Sequence, residues 1–278
     1  MLELRYNSSF TNNAIYILDC LKSNELQTAI RLEQELLDLK NEIKAPLIER
    51  ISIHSREDFF RVIEEIRHLC RRGVRPILHI ECHGDNTGGI SVGDRMEYIT
   101  AKELLKHFRK INSVTNNNLG IIMSGCHGMH AIRAIEITKP CPFYFLIGSE
   151  DEVTAGLIDE TMKRFYRALF ENDSLQSAMD QIDEKFKQFH AERMFCIAYA
   201  GYLKRHCMGA GRTARVEKLL TKVMENGVPR NRENIRRYRK ELKSSTKPNL
   251  ATFRKFADRF MHQRYSITFD QLNNFIRQ

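Results

Sequence analysis

Short apolar runs alternate with amphipathic stretches over the first two hundred residues. Residues 14–21 (AIYILDCL) form an apolar run rich in β-formers, and Asn24 then opens a segment in which Leu26, Ile30, Leu32, Leu36 and Leu37 keep roughly helical spacing. The pattern predicts a strand followed by a helix. It repeats at once: residues 48–54 alternate Ile with polar side chains, and Ser55, with Asp58 three residues on, caps a second helix that Gly73 ends. Pro76 restarts the chain extended, and residues 77–80 run apolar into Glu81-Cys82-His83-Gly84-Asp85. Residues 85–100 read as a small hairpin with Gly-rich turns. Thr100 caps the next helix, with Glu103 at the capping-box position.

After an Asn-rich loop, residues 119–123 form another buried strand, stopped by Ser124-Gly125-Cys126-His127-Gly128. A short helix over 129–137, a strand in 141–148 (CPFYFLIG) and a long helix over 153–170 follow, with Leu157, Met162, Phe165 and Leu169 in register. A last apolar piece, 194–203 (MFCIAYAGYL), supplies a final strand before Gly209 and Gly211 break the chain. Strands separated by amphipathic helices mean a mostly parallel sheet covered on both faces, an α/β doubly wound architecture. Beyond residue 209 the texture changes to about four helices with apolar stripes at Leu219, Leu220 and Val223, at Phe253, Phe256 and Phe260, and at Leu272 and Phe275. The expected division is residues 1–208 and a small α-helical domain, 209–278.

Charge follows the same division. Residues 201–278 hold 19 of the 44 Lys and Arg but 6 of the 35 Asp and Glu, a net charge of +13, whereas the 25 basic and 29 acidic residues of 1–200 give −4. A field of that sign suits an acidic protein or a nucleic acid as partner of residues 201–278, or else a solvated helical face. Hydrophobic residues at 42% and charged residues at 28% exclude wholesale disorder and fibrous repeats. The first twenty residues reach only a five-residue apolar run, too short for a leader or a span, so a cytoplasmic protein with no membrane partner is expected. Seven cysteines without regular spacing read as thiols, not a disulfide framework.

Reactive side chains in open parallel sheets gather at the carboxyl ends of strands. Two runs end that way, His79-Ile80-Glu81-Cys82-His83-Gly84 and Met123-Ser124-Gly125-Cys126-His127-Gly128. A thiol is mostly protonated at neutral pH and needs a base close by, a part His83 can play for Cys126 if the two strands are neighbours. Gly84 and Gly125 leave backbone N–H groups open to approach. Zinc is the chemical rival, through Cys82, His83, Cys126 and His127. Structural zinc favours spaced pairs such as C-x2-C, whereas these are immediate neighbours that an extended chain points to opposite sides. By the same alternation Cys82 lies on the face opposite His83. His79 is expected to face a neighbouring strand, and Cys20, Cys70, Cys141 and Cys196 to be core. No phosphate-cradling G-x-x-x-x-G-K-[ST] occurs.

A His-Gly at one strand end, a Gly-rich hairpin and helix, a Cys flanked by small residues after the next strand and a Phe165-Tyr166 helix further on resemble, in that order, the caspase-like cysteine peptidases. The nearest likeness is the bacterial CHAT type related to caspases and separase; Ser124-Gly125 stands where caspases proper have Gln-Ala. The resemblance covers about residues 14–200. It implies a cysteine endopeptidase with Cys126 as nucleophile, His83 as general acid/base, the backbone N–H groups of Gly84 and Cys126 as oxyanion hole, no metal or organic cofactor, and a protein substrate. It further implies a regulated effector in prokaryotic antiviral defence. In the separase and CHAT groups an acid after the following strand selects Arg or Lys before the scissile bond; Asp151 or Glu150 falls at that position here, without the Trp usual before it. Those carboxylates could instead cap the following helix. A non-catalytic adaptor on the same fold is the reading from another class.

Overall fold

The computed structural model describes residues 10–42 and 46–277, so the opening residues read for a leader lie partly outside it. In chain order the elements are β1 (Ala14–Asp19), α1 (Thr28–Glu42), β2 (Leu47–Ser52), α2 (Arg56–Arg71), β3 (Pro76–Glu81), β4 (His83–Gly84), β5 (Ile90–Val92), β6 (Glu97–Ile99), α3 (Ala101–Val114) and β7 (Gly120–Ser124). A 3-10 turn (Gly128–Ala134) leads to β8 (Phe145–Ser149), α4 (Ala155–Asn172), α5 (Leu175–Met179), β9 (Phe186–His190), α6 (Ala191–His206), α7 (Gly209–Glu225), α8 (Arg232–Ser245), α9 (Leu250–Phe260) and α10 (Phe269–Arg277).

Six strands form the central sheet in the order β2-β1-β3-β7-β8-β9, all parallel except β9. Every residue of β1, β3, β7 and β8 is buried, as the near-continuous apolar runs of a sheet covered on both faces require. Alternation sorts the side chains. Leu78, Ile80, Cys82, Ile121 and Met123 meet α2 and α3 through Phe59, Ile63, Leu104 and Phe108. On the opposite face Ile15, Ile77 and Ile122 meet α1 and α4 through Leu32, Leu36, Met162 and Phe165. The architecture is α/β with helices on both faces, consistent with a doubly wound fold. Truncating one fully buried phenylalanine such as Phe165 to Ala in so dense a layer costs about 3–5 kcal/mol.

Local signals act as read at two helix starts. The Ser55 side chain accepts from the Asp58 N–H, and Thr100 and Glu103 form a complete capping box. Elsewhere the structure corrects the sequence reading. Residues 194–203 are not a strand but the middle of α6, with Phe195, Cys196, Tyr199 and Leu203 buried at helical spacing and Ile197 62% exposed. The last strand is β9, whose sequence FKQFH carries no alternation. Gly209 opens α7 where a break was expected, and the segment after Cys126 is a 3-10 turn rather than an α-helix. The first helix begins at Thr28, four residues beyond Asn24, and buries Ala29, Leu32, Leu36 and Leu39 while Leu26 and Leu37 stay exposed.

The four helices α7–α10 occupy the expected 209–278 segment. Phe253, Phe260, Leu272 and Ile276 of α9 and α10 belong to the same buried cluster as Phe195 and Tyr199 of α6 and the sheet residues above. In contrast, α8 buries no side chain and exposes Arg232, Arg236, Arg237, Lys240 and Lys243. No helix among the described residues is long and apolar enough to cross a membrane.

Candidate active site

Strands β3 and β7 are neighbours, and their register sets Glu81 opposite Ser124. The ladder runs one step further, with the Cys82 N–H donating to the Ser124 carbonyl at 3.4 Å. Two residues past the Glu81–Ser124 pair lie His83 and Cys126, so the sheet delivers both to one rim. Their backbones interlock there: a Cβ on Gly84 would stand 2.1 Å from the Cys126 carbonyl oxygen, and a Cβ on Gly125 would stand 2.2 Å from that of Cys82. Only glycine allows either approach.

Side-chain directions follow. Cys82 is 4% exposed and packs against the α2 and α3 side, whereas His83 is accessible and reaches Glu25. Burial first, then the neighbouring Glu81 and Cys126, push the Cys82 thiol up, so it is a poor source of thiolate. Cys126 is half-buried, and its thiol donates to the Val153 carbonyl at 3.9 Å, on the α4 side.

Glu25, in the loop between β1 and α1, accepts at Oε2 from His83 Nε2–H at 2.8 Å and from the Lys22 N–H at 3.1 Å. Burial raises the Glu25 carboxyl, but the hydrogen bond to His83, the Lys22 N–H and the nearby cations outweigh it and hold the group below the usual carboxylate range. With Nε2 engaged, Nδ1 is the ring nitrogen left to exchange protons. Glu25 is absent from the sequence reading because Asn24 suggests a helix start, which would have hidden it on a helix surface.

Backbone donors are oriented too. In the β4–β5 ladder the Asp85 N–H donates to the Gly89 carbonyl at 3.2 Å, and the two-residue alternation of an antiparallel pair puts the Gly84 N–H on the edge away from β5. The buried Ser149 hydroxyl donates to the Gly125 carbonyl at 3.0 Å, which fixes the plane of the Gly125–Cys126 peptide and hence the direction of the Cys126 N–H. His127 adopts a left-handed conformation (φ 57°), held by its N–H to the Asp151 carbonyl at 3.4 Å and its Nδ1–H to the Glu150 carbonyl at 2.8 Å. The loops after β7 and β8 are thereby clamped together.

The Glu150 and Asp151 side chains are exposed just beyond β8, beside the β7 rim. Thr154, not an acid, caps α4, and the first turn of that helix holds no Asp or Glu. The carboxylates therefore do not serve as its cap. Among the described residues no group of three or more His, Cys, Asp or Glu could hold a metal ion.

Beneath the rim lies a buried polar layer on the α1 and α4 face. His79 is fully buried and meets Glu81 Oε1 at 3.0 Å and Ser124 Oγ at 2.7 Å through Nε2, and the Tyr166 hydroxyl at 3.0 Å through Nδ1. Glu81 Oε2 accepts from the Thr28 hydroxyl at 2.9 Å. A ring whose Nε2–H is shared between Glu81 Oε1 and Ser124 Oγ, with Nδ1 accepting from the Tyr166 hydroxyl, accounts for these contacts. His79 thus faces its strand neighbour as expected, and the layer ties β3 and β7 to α1 and α4 two residues below His83 and Cys126. The spacing His79-x-Glu81 within an apolar strand was its one signal in the sequence.

Comparison with family models and with curated proteins returned no match to this chain.

Proposed function

We propose that the chain is a caspase-like cysteine endopeptidase acting through Cys126 and His83. One observation carries the reading: the β3–β7 register and the Gly84–Cys126 contact set a histidine and an accessible thiol on the same rim, between backbone N–H groups. In this reading the Cys126 thiolate attacks the carbonyl carbon of the scissile peptide, a C–S bond forms, and the electron pair passes to oxygen, which the Gly84 and Cys126 N–H groups receive. Collapse breaks the C–N bond while His83 gives its proton to the leaving amine. Water then attacks the thioester while His83 takes its proton, and the C–S bond breaks to release the new carboxyl end and return the Cys126 thiolate. Glu25 keeps the imidazole oriented through both half-reactions. The chemistry calls for no metal or organic cofactor.

Glu150 and Asp151 would choose the residue before the scissile bond. Exposed on the neighbouring strand end and not used as a helix cap, a carboxylate there can pair with guanidinium or ammonium, which supports cleavage after Arg or Lys. The role of a regulated effector in prokaryotic antiviral defence rests on the resemblance alone. The test is a peptide-library digest with the full chain. Cleavage should follow Arg or Lys, drop in Asp151→Ala or Glu150→Ala, and fall at least about a thousandfold in Cys126→Ala or His83→Ala, with the double variant no worse than either. Cleavage that survives Cys126→Ala would refute the peptidase assignment; cleavage dominated by Asp or apolar residues would refute the acidic pocket.

A further inference from the structure

Part of the basic surplus of the 209–278 segment is set out along one face of one helix. Helix α8 lies against α7. Its apolar side chains Ile235, Tyr238 and Leu242 are half-buried, whereas Arg232, Arg236, Lys240 and Lys243 are exposed. Those four stand at intervals of four, four and three residues, so they share a face over about 16 Å of helix.

The acids of α8 lie on another line. Glu233 and Glu241 fall one turn before and one turn after Arg237, whose guanidinium sits over the Tyr238 ring, 4.7 Å from its centroid. From α7 one carboxylate reaches the row. Glu217 accepts from Arg239 Nε–H at 2.7 Å and from its Nη2–H at 2.8 Å. That hydrogen bonding first, against slight burial, and then the charges of Arg239 and Lys243 hold Glu217 below the usual carboxylate range. Arg232, Arg236 and Lys240 form no ion pair among the described residues. Like charges four residues apart on a helix repel, so the row carries a standing cost that a polyanion removes.

We propose that this row binds the phosphate backbone of double-stranded DNA. A protein partner would need an apolar centre to its interface, and none of the large apolar residues exposed among the described residues lies on α8. Single strands are held by stacking bases on open aromatic rings, whereas Tyr238 is half-buried and covered by Arg237. The width of an α-helix matches the major groove of B-form DNA and not the deep, narrow one of duplex RNA. Phosphate contacts of this kind are blind to base sequence. The inference stands apart from the peptidase reading.

The test is fluorescence anisotropy of the full chain with a labelled DNA duplex of about 20 base pairs, titrated between about 50 and about 200 mM sodium chloride. Binding should weaken with a log–log slope of about −3 to −4, as neutralisation of four phosphates implies. Arg232→Gln/Arg236→Gln/Lys240→Gln should bind at least about tenfold more weakly at the lowest salt, with a slope shallower by about three. Lys102→Gln/Lys106→Gln/Lys110→Gln removes equal charge at equal spacing from the exposed side of α3 and should bind as the parent does. No side chain changed in either variant is buried, so both keep the fold. Absence of binding at the lowest salt, a row variant that keeps the parent's affinity, or equal loss in the α3 variant would overturn the site. Equal affinity for single-stranded DNA, duplex RNA or poly-glutamate would overturn the choice of partner. None of these outcomes depends on cleavage activity.

Discussion

The rim of the sheet and the layer just beneath it are made from the same two strand ends, two residues apart, yet they are built on opposite principles. His83 and Cys126 sit at least partly open to solvent, and little packing depends on them. Glu81, Ser124 and His79 are buried, and every one is hydrogen-bonded across an element boundary. A group meant to meet a substrate cannot also be a packing element. Its position is instead set from below, by a layer whose removal costs stability.

That contrast predicts which variants unfold and which merely lose activity. Of the rim and the layer beneath it, the largest effect on stability is expected from Glu81→Ala. It strips the acceptor from His79 and from Thr28 in a dry environment, and breaking such a pair by deleting one member costs about 3 kcal/mol or more. Urea unfolding followed by circular dichroism should show a lowered midpoint with an unchanged slope, whereas Cys126→Ala and His83→Ala should leave the midpoint in place. A Glu81→Ala protein as stable as the parent would erase the distinction between the two layers.

Glu25 lies between these extremes, at the rim but committed to orientation. Glu25→Gln keeps an acceptor for His83 yet loses the charge, so kcat should fall about tenfold while the unfolding midpoint barely moves. The pH dependence carries the sign. Glu25 is held below the usual carboxylate range, so its interaction with His83 is present above that range and is lost as pH falls through the lowered value. The parent should therefore show an acid limb at lower pH than an ordinary glutamate would give, and the glutamine variant should lack it. An identical acid limb in the two proteins would remove Glu25 from the site.

The smallest effect on stability is expected where nothing is buried at all. Reversing Arg232, Arg236 and Arg237 on α8 to Glu should leave the midpoint within about 0.5 kcal/mol of the parent, since that helix buries no side chain. If an acidic protein or a nucleic acid docks on this face, the same change should abolish that binding, which in the parent would weaken steeply with salt. Retained, salt-sensitive partner binding after the reversal would show this surface to be inert. Truncation at residue 210 is no substitute. It would uncover Phe195 and Tyr199, which share a core with Phe253 and Phe260 of α9.

Much of this was legible in the sequence because local chemistry agreed with the final fold. Ser55, Thr100 and Glu103 cap the helices they announce, and the apolar runs at 77–80 and 119–123 become the two central strands whose ends carry His83 and Cys126. The misread pieces are those decided by packing. Residues 194–203 are apolar enough for a strand, and a short run of that kind carries no period of its own; it is helical because the aromatic residues of α9 cover one side of it. Strand β9 pairs antiparallel to β8 without an alternating pattern to announce it. Of the candidate site, His83, Cys126 and their glycines were visible as motifs. Glu25 and Ser149 were not, because their partners are tens of residues away and only the sheet order brings them together.

The central claim is that the rim makes one cysteine out of seven chemically distinct. Brief treatment of the folded chain with a substoichiometric peptidyl fluoromethylketone ending in arginine, followed by digestion and mass spectrometry of all seven thiols, tests it directly. The adduct should sit on Cys126, persist in Cys82→Ala, and disappear in His83→Ala although Cys126 remains as accessible as before. Label on Cys82 in place of Cys126, or label on Cys126 that is indifferent to loss of His83, would contradict the assignment of a nucleophile and its base to this rim.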